Sequence, residues 1–240
     1  MKHKEISTLT CSYDTYHFLW QDYDKLFRKY WKLDTHNIAV GETISYDSDQ
    51  FNFLTPGMMR SETGKDLWGK RMLHALEHVT TPYVFVLLID YYFIHDLTKE
   101  FIEQQVEFLN LNKANKVIID ENSPRAYTFC DSVHPYYKFD NYSDYQTSLM
   151  PAIWKTDWLR SVINENDDPW IFETDGTDKI KGQDNQVYLH MCEAPIYYNV
   201  IRKRKYIPET WGPIKWEEFK EKEQLNDPSI HLTDDITNWK

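Results

Sequence analysis

Between residues 81 and 96 the chain reads TPYVFVLLIDYYFIHD, a run of apolar and β-branched side chains that ends in one carboxylate, Asp90, followed by two tyrosines. A strand this apolar is buried on both faces, the condition of strands in parallel sheets covered by helices. Ligands of such sheets bind just beyond the carboxyl ends of the strands. Asp90 therefore falls at the edge of whatever crevice the sheet opens.

The rest of the first half supplies the covering helices. Residues 6–11 read as a strand, and 14–30 as a helix with Tyr16, Leu19, Trp20, Tyr23, Leu26, Phe27 and Tyr30 at helical spacing behind Ser12 or Asp14 as cap. A short strand at 37–41, a helix at 66–79 through Trp68, Met72, Leu76 and Val79, and the buried strand at 83–89 follow. A helix at 98–111, capped by Asp96 or Thr98, leads to a strand at 116–119. Strands alternating with helices predict an α/β fold with a mostly parallel sheet flanked by helices.

From Arg125 the pattern loosens. Short strands are expected at 126–130 and 148–154, a helix at 156–163 behind a threonine cap, an aromatic and acidic segment over 166–178, with 164–173 read as a loop, a helix at 184–191 and a strand at 196–201. The tail from Trp216 begins as a charged helix anchored by Trp216 and Phe219 and then frays, which reads as peripheral. No internal repeat or low-complexity linker divides the 240 residues, so one domain is expected.

A formal charge of −11 argues against nucleic acid or an anionic membrane as partner, since both reward a basic face. The basic run Arg202-Lys203-Arg204-Lys205 reads as a solvated turn or as a holder of a small ligand's phosphate. Cys11, Cys130 and Cys192 lie far apart, without metal-ligand spacing, and fit buried thiols in a reducing compartment. The N-terminus enters a strand pattern directly and no apolar run reaches membrane-spanning length, so a soluble, cytoplasmic protein is expected. With 9 Trp, 17 Tyr and 12 Phe, some rings should line a cleft, although most should fill the core.

Three stretches carry candidate chemistry. Asp90, with His95 and Asp96 nearby, offers oxygen and nitrogen ligands that suit a divalent cation bridging phosphates, against the simpler reading of Asp90 as a turn cap. Asn164-Glu165-Asn166-Asp167-Asp168-Pro169-Trp170-Ile171-Phe172-Glu173 sets rings among carboxylates, as sugar sites do: the ring meets the pyranose C–H face and the acid meets its hydroxyls. Glu173 is the candidate general base, Asp168 its substitute, and Asp167 reads as a solvated turn. The third stretch, residues 146–154, brings polar groups against an apolar strand and Trp154. There is no Gly-rich phosphate loop, no nucleophile elbow and no zinc spacing, which removes P-loop enzymes, Rossmann dehydrogenases and α/β-hydrolases.

Five phrases occur in an order that resembles the surface-polysaccharide glycosyltransferases of bacteria and viruses with the GT-A fold. They are Trp68-Gly69; residues 73–83, reading LHALEHVTTPY; Ile89-Asp90-Tyr91-Tyr92-Phe93; residues 148–154, reading SLMPAIW; and residues 168–173, reading DPWIFE. The resemblance implies transfer of a sugar from a nucleotide-activated donor to a glycan or glycoconjugate hydroxyl. Residues 1–120 would hold the donor and 121–213 the acceptor, with 214–240 peripheral. Thr8, Glu42, Trp68, Asp90 and Arg202 would face the donor, Trp154 and Trp170 the acceptor, with Glu173 or Asp168 as base. Relatives carry an acid where this chain has Ile89, so any Mn2+ or Mg2+ would rest on Asp90 alone, and Arg202 or Lys205 could meet the leaving diphosphate instead. A non-catalytic glycan- or nucleotide-binding module and a metal-dependent nucleotidyltransferase are the competing readings.

Overall fold

The strand β1 (Ile6–Cys11) is buried along its whole length and lies inside a nine-stranded sheet. The computed structural model describes residues 3–57, 67–120, 127–129, 136–192, 196–202, 205–206 and 216–226, with only the backbone at 120, 127–129, 202 and 205–206. On one side of β1 the sheet continues parallel through β2 (His36–Val40) and β3 (Asn52–Leu54), and on the other β4 (Tyr83–Leu88) joins parallel. β5 (Tyr91–Phe93) leaves the sheet. The order beyond β4 is β9 (Ala152–Lys155), β6 (Lys116–Asp120), β10 (Val187–Met191), β8 (Tyr136–Phe139) and β7 (Tyr127–Phe129). All strands of this sheet except β8 and β9 point one way. Two small ribbons complete the strands: β5 pairs with β11 (Tyr197–Asn199), and β12 (Ile201–Arg202) with β13 (Lys205–Tyr206).

Helices cover both faces because β4 sends side chains alternately to each. Tyr83, Phe85 and Leu87 meet α1 (Trp20–Tyr30), α3 (Lys99–Leu111) and α6 (Trp216–Glu223). Val84 and Val86 meet α2 (Trp68–Glu77), α4 (Thr156–Val162) and α5 (Pro169–Ile180). Each fully buried side chain of this kind contributes about 1.5–3 kcal/mol, so the apolar run is what fixes β4 at the centre. Among the described residues no helix is long and apolar enough to cross a membrane.

Several local expectations change. Residues 14–30 begin as a 3-10 turn, Asp14–Leu19, before α1 starts. The stretch expected as a loop over 164–173 enters helix α5 at Pro169, started by the Asp168 carboxylate accepting from the Ile171 N–H at 2.8 Å, with Pro169 at the first helical position. The helix expected at 184–191 is instead β10. Parallel pairing to β6 and antiparallel pairing to β8 take up both its edges, and an apolar run buried on two faces has no period that separates strand from helix. The tail helix α6 is less peripheral than its charge suggests. Its Glu223 is 3% exposed and accepts from Lys29 Nζ at 2.6 Å and Tyr30 Oη at 2.8 Å on α1.

Candidate functional site

β1 and β4 lie side by side, and from β1 the sheet order runs back to β2 while β4 begins the other half. Their carboxyl ends are the switch point of the sheet, where a crevice opens. The crevice is a cleft of about 410 Å³. Its floor is Cys11 from the end of β1 and Leu88, Ile89 and Asp90 from the end of β4. Tyr13 and Tyr16 form one wall, Trp68 at the start of α2 and Pro169 and Trp170 at the start of α5 another, and Ile201 of β12 closes a third side. Rings and aliphatic chains dominate these walls. Asp90 is the carboxylate among them.

Asp90 is held by both its backbone and its side chain. Its carbonyl accepts from the Val200 N–H at 2.8 Å, and its carboxylate is hydrogen-bonded by Asn199. Burial among apolar neighbours disfavours the charged carboxylate and pushes the pKa up to about 7, against the pull of Asn199. The native state therefore keeps a proton that the unfolded chain gives up near pH 4, so stability attributable to Asp90 falls as pH rises from about 4 to about 7 and does not recover above it. Asp90→Asn removes the buried charge. Because the carboxyl keeps some contact with cleft solvent, the expected gain at pH 8 is roughly 1 kcal/mol rather than the full shift, with no gain at pH 4. Melting curves of the two proteins at both pH values check this; equal melting at pH 8 would mean that the carboxylate sits in water.

A buried pair stands behind the tyrosine wall. Arg71 on α2 is fully buried, its Nη1 is 3.5 Å from Glu42 Oε1, and its guanidinium carbon lies 4.9 Å from the centre of the Tyr13 ring. Glu42 also accepts from the Asp14 N–H at 2.8 Å. The pair thus fixes both the ring of Tyr13 and the turn that follows it.

Of the residues expected at a site, Asp90, Trp68 and Trp170 come together around this cleft, but Trp68 is fully buried, packed against Phe172 at 5.2 Å between ring centres. Trp170 is 68% exposed although it is a large ring, which suits a surface waiting for an apolar partner. Glu42 lies behind the wall rather than on it, turned toward Arg71. Thr8 is not at a strand end: it lies within β1, fully buried, with its hydroxyl donating to Asn37 Oδ1 at 3.0 Å, and the end of the strand belongs to Cys11. Trp154 cannot meet an acceptor. It is fully buried on β9, stacked on Trp158 at 5.5 Å, with Lys116 Nζ 3.9 Å from its ring centre.

The carboxylates of the 164–173 stretch divide by their partners. Glu173 points back into the protein, where Oε1 accepts from the Leu149 N–H at 2.6 Å, and it does not line the cleft. Asp168 caps α5 directly before Pro169 and Trp170, which line the cleft; Asp168 itself is not part of the lining. Asp167 is not a solvated turn: it is 3% exposed and accepts from the Asn164 N–H at 2.9 Å. The side chain of Arg202, and Lys203, Arg204 and Cys130 altogether, lie outside the described residues.

The divalent cation that the resemblance leaves open finds few ligands among the described residues. Mn2+ and Mg2+ sites draw on several oxygen ligands. Among the described residues no three His, Cys, Asp or Glu side chains cluster. His95 and Asp96 are exposed, and Asp96 faces Lys32 at 3.3 Å. Among the described residues that line the cleft, Asp90 is the one carboxylate.

Sequence reasoning overlooked Tyr13, Tyr16 and Arg71. Tyr13 obeys the strand-end rule that singles out Asp90, applied to β1. Arg71 shares the helix stripe of Trp68, Met72, Ala75 and Leu76, and a cation on such a stripe marks a buried partner.

No protein-family model matches the chain, and no curated protein matches it. Solved structures do share its fold. Residues 1–349 of S. aureus TarS in complex with UDP-GlcNAc superpose with TM-score 0.50 at 16% identity, covering 90% of this chain and 64% of that one. The UDP complex gives TM-score 0.51 at 15% identity, over 83% and 61%. The glycosyltransferase GlyE of Streptococcus pneumoniae gives TM-score 0.51 at 10% identity, over 98% and 64%. The chain thus has the GT-A-like α/β fold and spans somewhat over three fifths of the length of these structures.

Proposed function

We propose that the protein transfers a sugar from a nucleoside-diphosphate donor to a hydroxyl of a glycan or glycoconjugate. The observation that carries this reading is the cleft at the β1–β4 switch point, where Tyr13, Tyr16 and Trp170 present rings in front of the buried Trp68, with Asp90 on the floor. Such walls suit a nucleoside and a pyranose, whose flat or C–H faces pack on rings while a few polar groups set their orientation. The fold is shared with S. aureus TarS, solved in complex with UDP-GlcNAc, and with the glycosyltransferase GlyE, which adds support. The donor would rest against β1, β4 and the tyrosine wall, in the first half of the chain. The acceptor would lie on Trp170, where α5 meets the cleft.

The chemistry is direct displacement. A carboxylate deprotonates the acceptor hydroxyl, its oxygen attacks the anomeric carbon, and the nucleoside diphosphate departs. Each of the two acids named for the base accepts from a backbone N–H, Glu173 from Leu149 and Asp168 from Ile171; Asp168 is preferred because Pro169 and Trp170, which follow it directly, line the cleft. Asp90 would orient the donor.

A thermal-shift screen of nucleoside diphosphates and nucleotide sugars tests the reading. A matching ligand at about a hundred times its Kd adds about 2.7 kcal/mol, which raises the melting temperature by roughly 5–10 °C. No shift with any nucleotide would sink it. A shift without turnover on any acceptor would leave a binding module with this fold.

A further inference from the structure

We propose that the acceptor is a glycan chain of several sugars, which leaves the cleft at Trp170, follows the exposed face of α5 and packs its far end on Tyr142. The inference rests on the transferase reading above and names the class of its acceptor.

Among the described residues the two most exposed rings are Tyr142, at 73%, and Trp170, at 68%. They stand at opposite ends of α5. Trp170 is in the first turn, where the helix meets the cleft, and Tyr142 lies over Gly182, just past the last turn. A Cβ at Gly182 would lie 3.4 Å from Cε1 of the Tyr142 ring, and its φ of +77° favours glycine, so the end of the helix leaves a flat seat for the ring.

Tyr142 is exposed without being loose. The Gly182 N–H donates to the Asn141 carbonyl at 2.9 Å, and the Tyr142 N–H donates to Asp140 Oδ1 at 2.8 Å. Lys181 Nζ ties the same loop to the helix, 2.7 Å from Asp144 Oδ1 and 2.8 Å from Asp178 Oδ1. A ring held in this way loses little conformational freedom when a ligand packs on it.

The face between the rings is polar. Trp170, Thr174 and Asp178 are spaced by four, which sets them along one side of the helix, and all three are exposed. At 1.5 Å per residue the axis rises about 12 Å from Trp170 to Asp178, with Gly182 beyond, so a single pyranose cannot touch both rings. This alternation decides the occupant. A protein partner asks for a contiguous apolar centre from which charge is excluded, and here a hydroxyl, a carboxylate and an ammonium separate the rings. A glycan presents C–H faces and hydroxyls in turn along its length. The rings meet the first, and Thr174, Asp178 and Lys181 meet the second.

An array of glycans of graded length, followed by calorimetric titration of the disaccharide and hexasaccharide of the best-bound series, tests this. The hexasaccharide should bind roughly tenfold tighter or more, because it reaches both rings at once. Tyr142→Ala should weaken the hexasaccharide roughly five- to tenfold and leave the disaccharide, the melting temperature and the thermal shift with nucleotides unchanged. Tyr142→Phe keeps the ring and should bind like wild type. Leu111→Ala is the control, since Leu111 is 75% exposed at the end of α3 on the other side of the sheet, and it should change nothing. Equal affinity for the two lengths, a Tyr142→Ala protein that binds the hexasaccharide like wild type, or no binding to any glycan would each overturn the inference while sparing the transferase reading, which stands on the nucleotide shift. A dimer lost in Tyr142→Ala would assign the face to a second copy of the chain and overturn it as well. Length-dependent glycan binding that needs Tyr142, with no nucleotide shift, would keep the glycan track and remove the transfer.

Discussion

Transfer by Asp168→Asn is expected to fall by a factor of roughly 10²–10⁴, the contribution of a positioned general base, while donor binding persists. The substitution separates chemistry from folding unusually well. Asn caps a helix as well as Asp does, so α5 should still begin at Pro169, the amide oxygen still accepting from the Ile171 N–H. Melting should therefore stay near wild type. Glu173→Gln is the paired control: a glutamine oxygen can still accept from the Leu149 N–H, so the rate should change no more than a few-fold. Single-turnover rates with saturating donor measure both. If Glu173→Gln loses the larger factor and Asp168→Asn keeps its rate, the base is Glu173 and α5 must rotate to present it.

Gly69→Ala is expected to be the most damaging small substitution in the described part of the chain. Position 69 lies in the first turn of α2, where alanine would otherwise favour the helix by about 1 kcal/mol. A Cβ there, however, would lie 1.9 Å from the carbonyl oxygen of Asn164 and 3.2 Å from the amide nitrogen of Asp167. Those are backbone atoms of the turn that starts α5, and the Gly69 N–H donates to the Asp167 carbonyl at 2.9 Å. A flexible side chain could move aside; this turn cannot without losing that bond. The net loss should be about 3 kcal/mol, a fall in melting temperature of roughly 6–12 °C. The variant should also bind donor poorly even where it stays folded, since Trp68 and Trp170 flank this contact and would be pushed apart. Melting equal to wild type would show that the two helices do not approach so closely.

How much of this was readable before the structure differs residue by residue. The alternation of strands and helices over the first half is local information, carried by periods of two and 3.6 residues, and β1, β4, β6 and α3 fall where those periods put them. Thr98 caps α3 as expected, accepting from the Phe101 N–H at 3.1 Å. Asp90 is legible for the same reason: a carboxylate that ends a doubly buried strand has to emerge at the sheet's edge. The start of α5 was also written in the chain, since Asp168-Pro169 is a cap followed by the residue favoured at the first helical position, though rings alternating with acids suggest a loop. β10 was not legible, because Val187, Tyr188 and Leu189 are buried whichever element they adopt.

The sequence alone determined where the sheet is doubly covered, which strand end carries an acid, and how charge is distributed along the chain, for these depend on neighbours a few residues apart. Only the tertiary structure decided which side chains face the cleft. Thr8 and Trp154 bear polar or aromatic groups that suit a site, yet both sides of their strands are packed under helices and neither reaches solvent. Glu173 and Asp168 differ by five positions, and α5 sends one to the Leu149 N–H while the other caps the helix at the Ile171 N–H, next to Pro169 and Trp170 of the cleft. Tyr13, Glu42 and Arg71 come from a strand end, a loop and a helix, and meet because β1, β2 and α2 pack side by side. A cleft assembled from the ends of separate elements has no period in the sequence, since its geometry is set by which faces the elements bury against one another.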